Sequence, residues 1–197
     1  MRWGQLYRIP RTSVLGHMLI VAIMSYLFSL EIDACPKRCT NNYFTGLFHD
    51  LPEVLTKDII SPVKSAATGL DRFVKDFERE EMERRIYGPE LIPKAWQPEM
   101  RMFTEDEFVS KVTIDGRVRH TTSDEITASY NRDRYNPVDG EIVKAADDLA
   151  AFMEAYLALQ NGISNSQLQT AVQEKTAFYR KKAIAGISFD KVYRGFH

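Results

Sequence analysis

Apolar positions recur along most of the chain at helical spacing, which predicts a fold dominated by helices. The first helix is expected to begin at Thr12 or Ser13, either of which can cap it, and to end near Glu31. Its predicted buried stripe also carries a histidine, His17. The apolar members of that stripe are Ile20, Val21, Met24, Leu27 and Phe28.

A second helix is predicted to begin near Asn41 or Asn42 and to carry His49 and Asp50. The segment that follows is expected to form a short helix or turn that ends before Pro62. Residues 66–87 predict a charged amphipathic helix, in which "KDFEREEMERR" is interpreted as a solvated face with a packed stripe. The apolar positions of this helix are Leu70, Phe73, Val74, Phe77 and Met82.

Residues 102–197 are predicted to contain a hairpin, a polar loop and two further helices. Apolar and polar residues alternate around Asp115-Gly116, a dipeptide typical of a hairpin turn. The clearest late helix follows Asp139 as its cap and stops at Gly162, and the last spans about 165–184. Within the clearest helix, the carboxylate at position 147 lies beside the apolar face, whereas Asp148 is expected to point towards solvent.

Length and composition place the chain in the class of single globular domains, taken as residues 1–197. It has 197 residues, of which 44% are hydrophobic and 27% are charged. The formal net charge of -1 gives no basic field that would attract a nucleic acid polymer. Cys35 and Cys39 form a lone C-x3-C pair, which is interpreted as two ordinary thiols in a reducing compartment.

The first 35 residues allow two interpretations. Arg2, Arg8 and Arg11 precede an apolar run at residues 19–30, and Cys35 follows, as in a secretory or lipoprotein signal. However, the run is shorter than the roughly 20 residues that span a bilayer. Asp33 also fits a cleavage site poorly. A buried core helix in a cytoplasmic protein without a membrane partner is the favoured interpretation.

Four side chains that commonly bind metals occupy otherwise apolar stretches: His17, His49, Asp50 and Asp147. Taken singly, each has an ordinary explanation as a hydrogen-bonded or solvated residue. Ionisable groups are costly to bury unless something neutralises them, and a metal would do so. Two imidazoles and two carboxylates together suit one divalent transition metal, which could be manganese, iron, cobalt, nickel or zinc.

The order of a histidine, a His-Asp pair and a distant aspartate resembles the HD superfamily of metal-dependent phosphohydrolases. "HDLPEVLTKDIISPVK" resembles the block that follows the HD pair in bacterial 5'-deoxynucleotidases, which are nucleoside 5'-monophosphate phosphatases. "IVKAADDLAAF" is similar to their metal-aspartate helix and matches Asp147 rather than Asp148. Arg2-Trp3 resembles an Arg-Trp pair of that group. In that group more residues precede the pair, whereas here it occupies the second and third positions, so the resemblance implies a shortened start. The resemblance covers residues 2–65 and 140–180.

The resemblance implies an all-α HD-domain helical bundle with a small β-hairpin insertion at about residues 100–138. It also implies roles for five residues beyond the four metal ligands. Glu53, one helical turn after the HD pair, would position water and move its proton, and Asp58 would border the active site. Arg2 and Lys64 are candidates to bind phosphate, and Trp3 to stack on a sugar or base.

The implied function is a metal-dependent phosphohydrolase acting on a small-molecule phosphoester, with nucleoside 5'-monophosphates as the leading substrates. Two alternatives stay open. One is an HD phosphohydrolase for another phosphoester, such as a nucleoside triphosphate, and the other is a non-catalytic nucleotide-binding module that keeps the metal. HD nucleotidases form homodimers, so the resemblance also implies a homodimer.

Overall fold

The computed structural model describes residues 9–56 and 70–196, and it is mainly helical, as the sequence predicts. The helices are α1 Val14–Glu31, α2 Pro36–Phe48, α3 Leu51–Thr56, α4 Leu70–Met82, α5 Gln97–Thr104, α6 Gly140–Gln160, α7 Ser166–Tyr179 and α8 Phe189–Arg194. Short helical turns add Glu83–Tyr87, Ser123–Glu125, Ile126–Tyr130 and Asp133–Tyr135. The strands form two antiparallel hairpins, β1 Lys111–Ile114 with β2 Arg117–His120, and β3 Ala183–Ile184 with β4 Ile187–Ser188.

Contacts divide the chain into two compact units. Unit 1 comprises Met1–Leu47 and Phe108–His197, and unit 2 comprises Phe48–Glu107. The expectation of a single domain over residues 1–197 stays a prediction.

Helix α1 of unit 1 begins and ends where the sequence predicts, but it buries a different face. The hydroxyl of Ser13 accepts a hydrogen bond from the Gly16 amide at 2.9 Å and so caps the helix. Ile20 and Leu27, expected inside, are exposed. The residues that α1 buries are His17, Met18, Val21, Ala22, Ser25 and Ser29. Apolar side chains surround almost the whole helix, so periodicity does not identify the buried face.

Helix α6 is the central helix of unit 1. Asp139 caps it by accepting a hydrogen bond from the Ile142 amide at 3.3 Å, and Gly162 follows its end with φ of +81°. These boundaries confirm the prediction. Two clusters of buried residues form the core around α6. In one, Val143, Ala146 and Ala150 of α6 pack with Val21 of α1. In the other, Ala145, Leu149 and Phe152 of α6 pack with Tyr179, Phe189 and Tyr193.

Helix α2 begins at Pro36, five residues before the predicted start, because proline suits the first turn of a helix. Its Asn42 donates to the hydroxyl of Ser29 on α1 at 2.9 Å and accepts from the Asp139 amide at 2.7 Å. At Gly46, an added Cβ would lie 2.9 Å from the Ala22 backbone, so the close approach of α1 and α2 requires glycine.

The end of the chain differs from the single helix predicted over 165–184. Helix α7 stops at Tyr179, and Ala185 and Gly186 turn the chain with φ of +49° and +90°. The following helix α8 then returns Phe189 and Tyr193 to the core. A short turn with one glycine was too weak a signal to interrupt the predicted helix.

In unit 2, α4 buries fewer of the predicted apolar positions than expected. Val74 and Met82 are buried, whereas Phe73 and Phe77 are exposed. Glu81, a charged residue that was not among the predicted apolar positions, is also buried. The buried row follows i+4 and i+3 steps from Val74, so Phe73 and Phe77 lie at one edge of it.

Two arginines neutralise the buried carboxylate of Glu81 on α4. Arg84 donates to Glu81 Oε1 at 2.6 Å and to Oε2 at 2.8 Å, and Arg85 Nε lies 2.6 Å from Oε2. A buried carboxylate is tolerated when charge-assisted hydrogen bonds satisfy it. The buried row of α4 therefore includes a paired carboxylate beside its apolar side chains.

Candidate metal centre

His17 of unit 1 lies between two carboxylates of α6. The histidine is 1% exposed. Its Nε2 is 3.0 Å from Asp147 Oδ1, and its Nδ1 is 3.2 Å from Glu154 Oε1. The sequence had singled out Asp147 but not Glu154. The clue to Glu154 is its spacing: seven residues are two helical turns, so both carboxylates project from one face of α6.

The two adjacent aspartates of α6 have different partners. Asp147 is half-buried, and its Oδ2 accepts from Lys144 at 2.8 Å. Asp148 is 4% exposed, so the prediction that it points towards solvent is wrong. It accepts hydrogen bonds from Lys144 at 2.9 Å, Lys175 at 2.5 Å and Tyr179 at 2.9 Å. Lys175 and Tyr179 lie on α7, and residue spacing within α6 cannot predict that α7 packs beside it.

These carboxylates set the charge state of the groups around them. Burial by itself lowers the pKa of Lys144, but the charges of Asp147 and Asp148 outweigh burial and raise it overall. Burial, and then the charge of Asp148, raises the pKa of Tyr179 far above its ordinary value. Lys144 therefore stays a cation and Tyr179 a neutral donor across the physiological pH range.

The His-Asp pair lies in the turn between α2 and α3, not within a helix as predicted. Helix α2 ends at Phe48, one residue before the pair, and α3 begins at Leu51. His49 is buried, and Asp50 is half-buried. The distance from His49 Nε2 to Asp50 Oδ1 is 3.1 Å. Neighbouring residues of a helix point about 100° apart, whereas the turn here brings these two side chains into contact.

Glu53 lies in the first turn of α3 and is half-buried. Its role beside the His-Asp pair stays a prediction. The other predicted residues, Arg2, Trp3, Asp58 and Lys64, lie outside the described residues. Their roles stay predictions.

The donor atoms in each unit fit a divalent transition metal. Metal–ligand bonds of ~2.0–2.2 Å at angles of 90–109° place adjacent ligand atoms roughly 3.0–3.5 Å apart. The His17–Asp147 distance of 3.0 Å and the His49–Asp50 distance of 3.1 Å match that spacing. Imidazole nitrogens and carboxylate oxygens are also ligand types that manganese, iron, cobalt, nickel and zinc accept.

The remaining candidate ligands in the described residues have other environments. Cys35 and Cys39 are free thiols, and burial raises the pKa of both, which disfavours the thiolate that binds metals. His120 lies on strand β2, all of whose residues are exposed. His197 lies outside the described residues.

Helix α1 is the one described helix that is long and apolar enough to cross a membrane by length and composition. A third of it is buried within the protein. Val21 packs against Val143 and Ala146 of α6, and the ring nitrogens of His17 are within hydrogen-bond distance of Asp147 and Glu154. These contacts agree with the interpretation of α1 as a core helix.

Comparison with known families agrees with this arrangement. The sequence profile described as "HD domain" matches residues 1–176. The chain belongs to the HD domain family. Domains of this family bind divalent metals, and the chain is an HD domain phosphohydrolase. The matched range includes residues 85–138, which the resemblance in sequence motifs does not cover.

One relative of this HD domain phosphohydrolase is a curated 5'-deoxynucleotidase from Pectobacterium atrosepticum. The two are 25% identical over 181 residues, which cover 89% of this chain and 75% of the relative. No solved structure matches the chain.

Proposed function

We propose that this HD domain phosphohydrolase is a nucleoside 5'-monophosphate phosphatase that releases inorganic phosphate. The observation that carries the substrate assignment is the similarity to the 5'-deoxynucleotidase, which extends over 89% of the chain. The predicted residues Arg2, Trp3, Glu53, Asp58 and Lys64 add the groups that such a substrate requires.

The proposed metal ligands are His17, His49, Asp50 and Asp147, which together bind one divalent ion. Support comes from the family, from the His17–Asp147 pair in unit 1 and from the His49–Asp50 pair in unit 2. Manganese, iron, cobalt, nickel and zinc all suit this set of nitrogen and oxygen donors. Lys144, paired with Asp147 Oδ2, leaves Oδ1 facing His17.

The proposed chemistry is hydrolysis of a phosphomonoester. A bound divalent metal supplies Lewis-acid polarisation of a phosphoryl oxygen and acidifies a water molecule. Glu53 accepts the proton that the water loses and delivers it to the leaving alkoxide, so that nucleoside and phosphate are released. Arg2 and Lys64 bind the phosphate, Trp3 stacks on the sugar or base, and Asp58 orients the water or a sugar hydroxyl.

A substrate panel tests this proposal. The purified protein, loaded in turn with each of the five metals, is given nucleoside monophosphates, triphosphates and non-nucleotide phosphoesters, and phosphate release is measured. The highest kcat/KM is expected with a nucleoside 5'-monophosphate. A preference for another ester would overturn the nucleotidase assignment and keep the hydrolase, and no turnover with any metal would favour a binding module.

Replacement of Arg2 separates phosphate recognition from the metal chemistry. We expect Arg2→Ala to raise KM and lower kcat for nucleoside monophosphates, because a charge-assisted bidentate contact is lost. Nitrophenyl phosphate, bound mainly at the metal, should be affected far less. A chain that lacks residues 1–6 provides the contrary outcome. If its kinetics on both substrates equal those of the full chain, Arg2 and Trp3 do not belong to the site.

We also propose that the protein is a cytoplasmic homodimer. Helix α1 leaves Ile20, Ile23 and Leu27 exposed by 43%, 41% and 55%, and this apolar surface suits contact with a second copy. Light scattering at micromolar concentration should give twice the mass of the chain. Leu27→Glu should shift the protein towards monomer, whereas Leu91→Glu, at an exposed position in unit 2, should not. A monomeric wild type would contradict the proposal.

A further inference from the structure

The imidazole of His17 is held at both nitrogens by the same helix. Asp147 and Glu154 are seven residues apart on α6, which is two turns and about 10 Å of axial rise. An imidazole that bonds both carboxylates spans that gap, with Nε2 3.0 Å from Asp147 and Nδ1 3.2 Å from Glu154. Only one ring nitrogen faces Asp147, a predicted metal ligand, and the other faces a carboxylate with no role in the proposed chemistry.

We propose that Glu154 is a positioning residue that orients His17 for metal binding. This inference rests on the proposed metal site of the preceding section. A neutral imidazole has one N–H and one lone pair, and the hydrogen bond made by one nitrogen decides which nitrogen can bind a metal. With the metal bound, Nδ1–H would donate to Glu154, and Nε2 would offer its lone pair to the metal on the side of Asp147.

Burial makes this orientation effective. His17 is 1% exposed and Glu154 is 9% exposed, so water competes little for the Nδ1–H group. A carboxylate acceptor also raises the basicity of the imidazole that donates to it. Outer partners of this kind typically change metal affinity by about 10–100-fold when they are removed. Glu154 does not contact the reacting atoms in this account; it acts through His17.

The test uses Zn²⁺ as the probe and requires no substrate. Chelator competition measures the dissociation constant of Zn²⁺ for the wild type, Glu154→Gln and Glu154→Leu. Glu174→Gln on α7 is the matched control, since Glu174 is exposed and on another helix. We expect Glu154→Leu to weaken binding by about 10–100-fold and Glu154→Gln, which keeps an acceptor oxygen, to weaken it less.

Nuclear magnetic resonance of ¹⁵N-labelled histidines supplies a readout that a purely structural role would not move. The chain has four histidines, which makes assignment by substitution practical. In the Zn²⁺-loaded wild type, the Nδ1–H proton of His17 should resonate far downfield and exchange slowly with water. It should move upfield and exchange faster in Glu154→Leu, with Glu154→Gln in between and Glu174→Gln unchanged.

The outcomes separate this inference from the proposed function. Equal Zn²⁺ affinity and an unchanged Nδ1–H signal in both Glu154 variants would overturn the role of Glu154 and leave the metal site intact. A wild type that binds no Zn²⁺ at His17 would overturn both. If Glu154→Leu does not fold, Glu154→Gln carries the test, and wild-type affinity and signal in that variant contradict the inference.

Discussion

Nε2 of His17 lies 3.0 Å from Oδ1 of Asp147, although the two residues are 130 positions apart in the chain. The contact joins the N-terminal helix α1 to the central helix α6, and it is buried on the histidine side. A histidine and a carboxylate at this distance suit either a hydrogen bond or two adjacent ligands of one metal. Membership of the HD domain family favours the second interpretation.

Glu53→Ala should separate catalysis from metal binding. The variant is expected to keep its fold and bound metal but to lose phosphatase activity by about 10²–10⁴-fold, since general acid–base groups contribute on that order. Metal content and kcat, measured on the same preparation, check this. The exposed Glu99 on α5 provides the control substitution, Glu99→Ala. Near-normal turnover in Glu53→Ala would show that the water needs no such partner.

Arg38 should contribute strongly to stability. Its guanidinium and the carboxylate of Asp139 are both fully buried and paired, and Asp139 caps the helix that carries Asp147. Removing one partner of a buried pair leaves an uncompensated charge and typically costs about 3–5 kcal/mol. We expect Arg38→Leu to lower the free energy of unfolding by that amount in denaturant titrations.

A double variant controls for the loss of side-chain volume at position 38. Asp139→Asn keeps an oxygen that can cap α6 but removes the charge that Arg38 neutralises. Arg38→Leu combined with Asp139→Asn should therefore be more stable than Arg38→Leu alone. A double variant that is less stable would indicate that packing, rather than the ion pair, explains the loss.

Stability should fall at alkaline pH because of the tyrosines beside Asp148. Burial, and then the negative charge of Asp148, raises the pKa of Tyr179 and Tyr193 above the ordinary value of 10.0. The folded state thus retains protons that the unfolded state releases. This stabilisation is fully present below pH 10 and is lost progressively as pH rises above 10.

Unfolding free energies measured from pH 7 to 11 check this expectation. Tyr179→Phe should lower stability at pH 7 by about 1 kcal/mol through the lost hydrogen bond to Asp148, and its decline above pH 10 should be shallower. Tyr26→Phe, at an exposed position on α1, serves as the control and should follow the wild type. An identical alkaline slope in Tyr179→Phe would contradict the assignment.

Local signals predicted the elements that depend on local chemistry. Caps at Ser13 and Asp139 and the Asp115-Gly116 turn all occupy the positions that the sequence indicates. Each of these devices satisfies backbone groups within a few residues, so the sequence contains the necessary information. Helix spacing within α6 did not separate Asp147 from Asp148 correctly, because Asp148 is the more buried of the two.

Other features depend on partners distant in sequence, and these were missed. Asp148 is buried because Lys175 and Tyr179 arrive from another helix. Glu154 faces His17 only because α1 crosses α6 at that level. The buried face of α1 follows from which neighbours pack on it, since its own sequence is apolar nearly all round.

We propose that His17, His49, Asp50 and Asp147 bind one metal ion. Anomalous diffraction from crystals of the Mn²⁺- or Zn²⁺-loaded protein tests it most directly. One strong peak is expected, with a donor atom of each of the four side chains at ~2.0–2.2 Å. A peak elsewhere, or any of the four side chains more than about 4 Å from the ion, would contradict it.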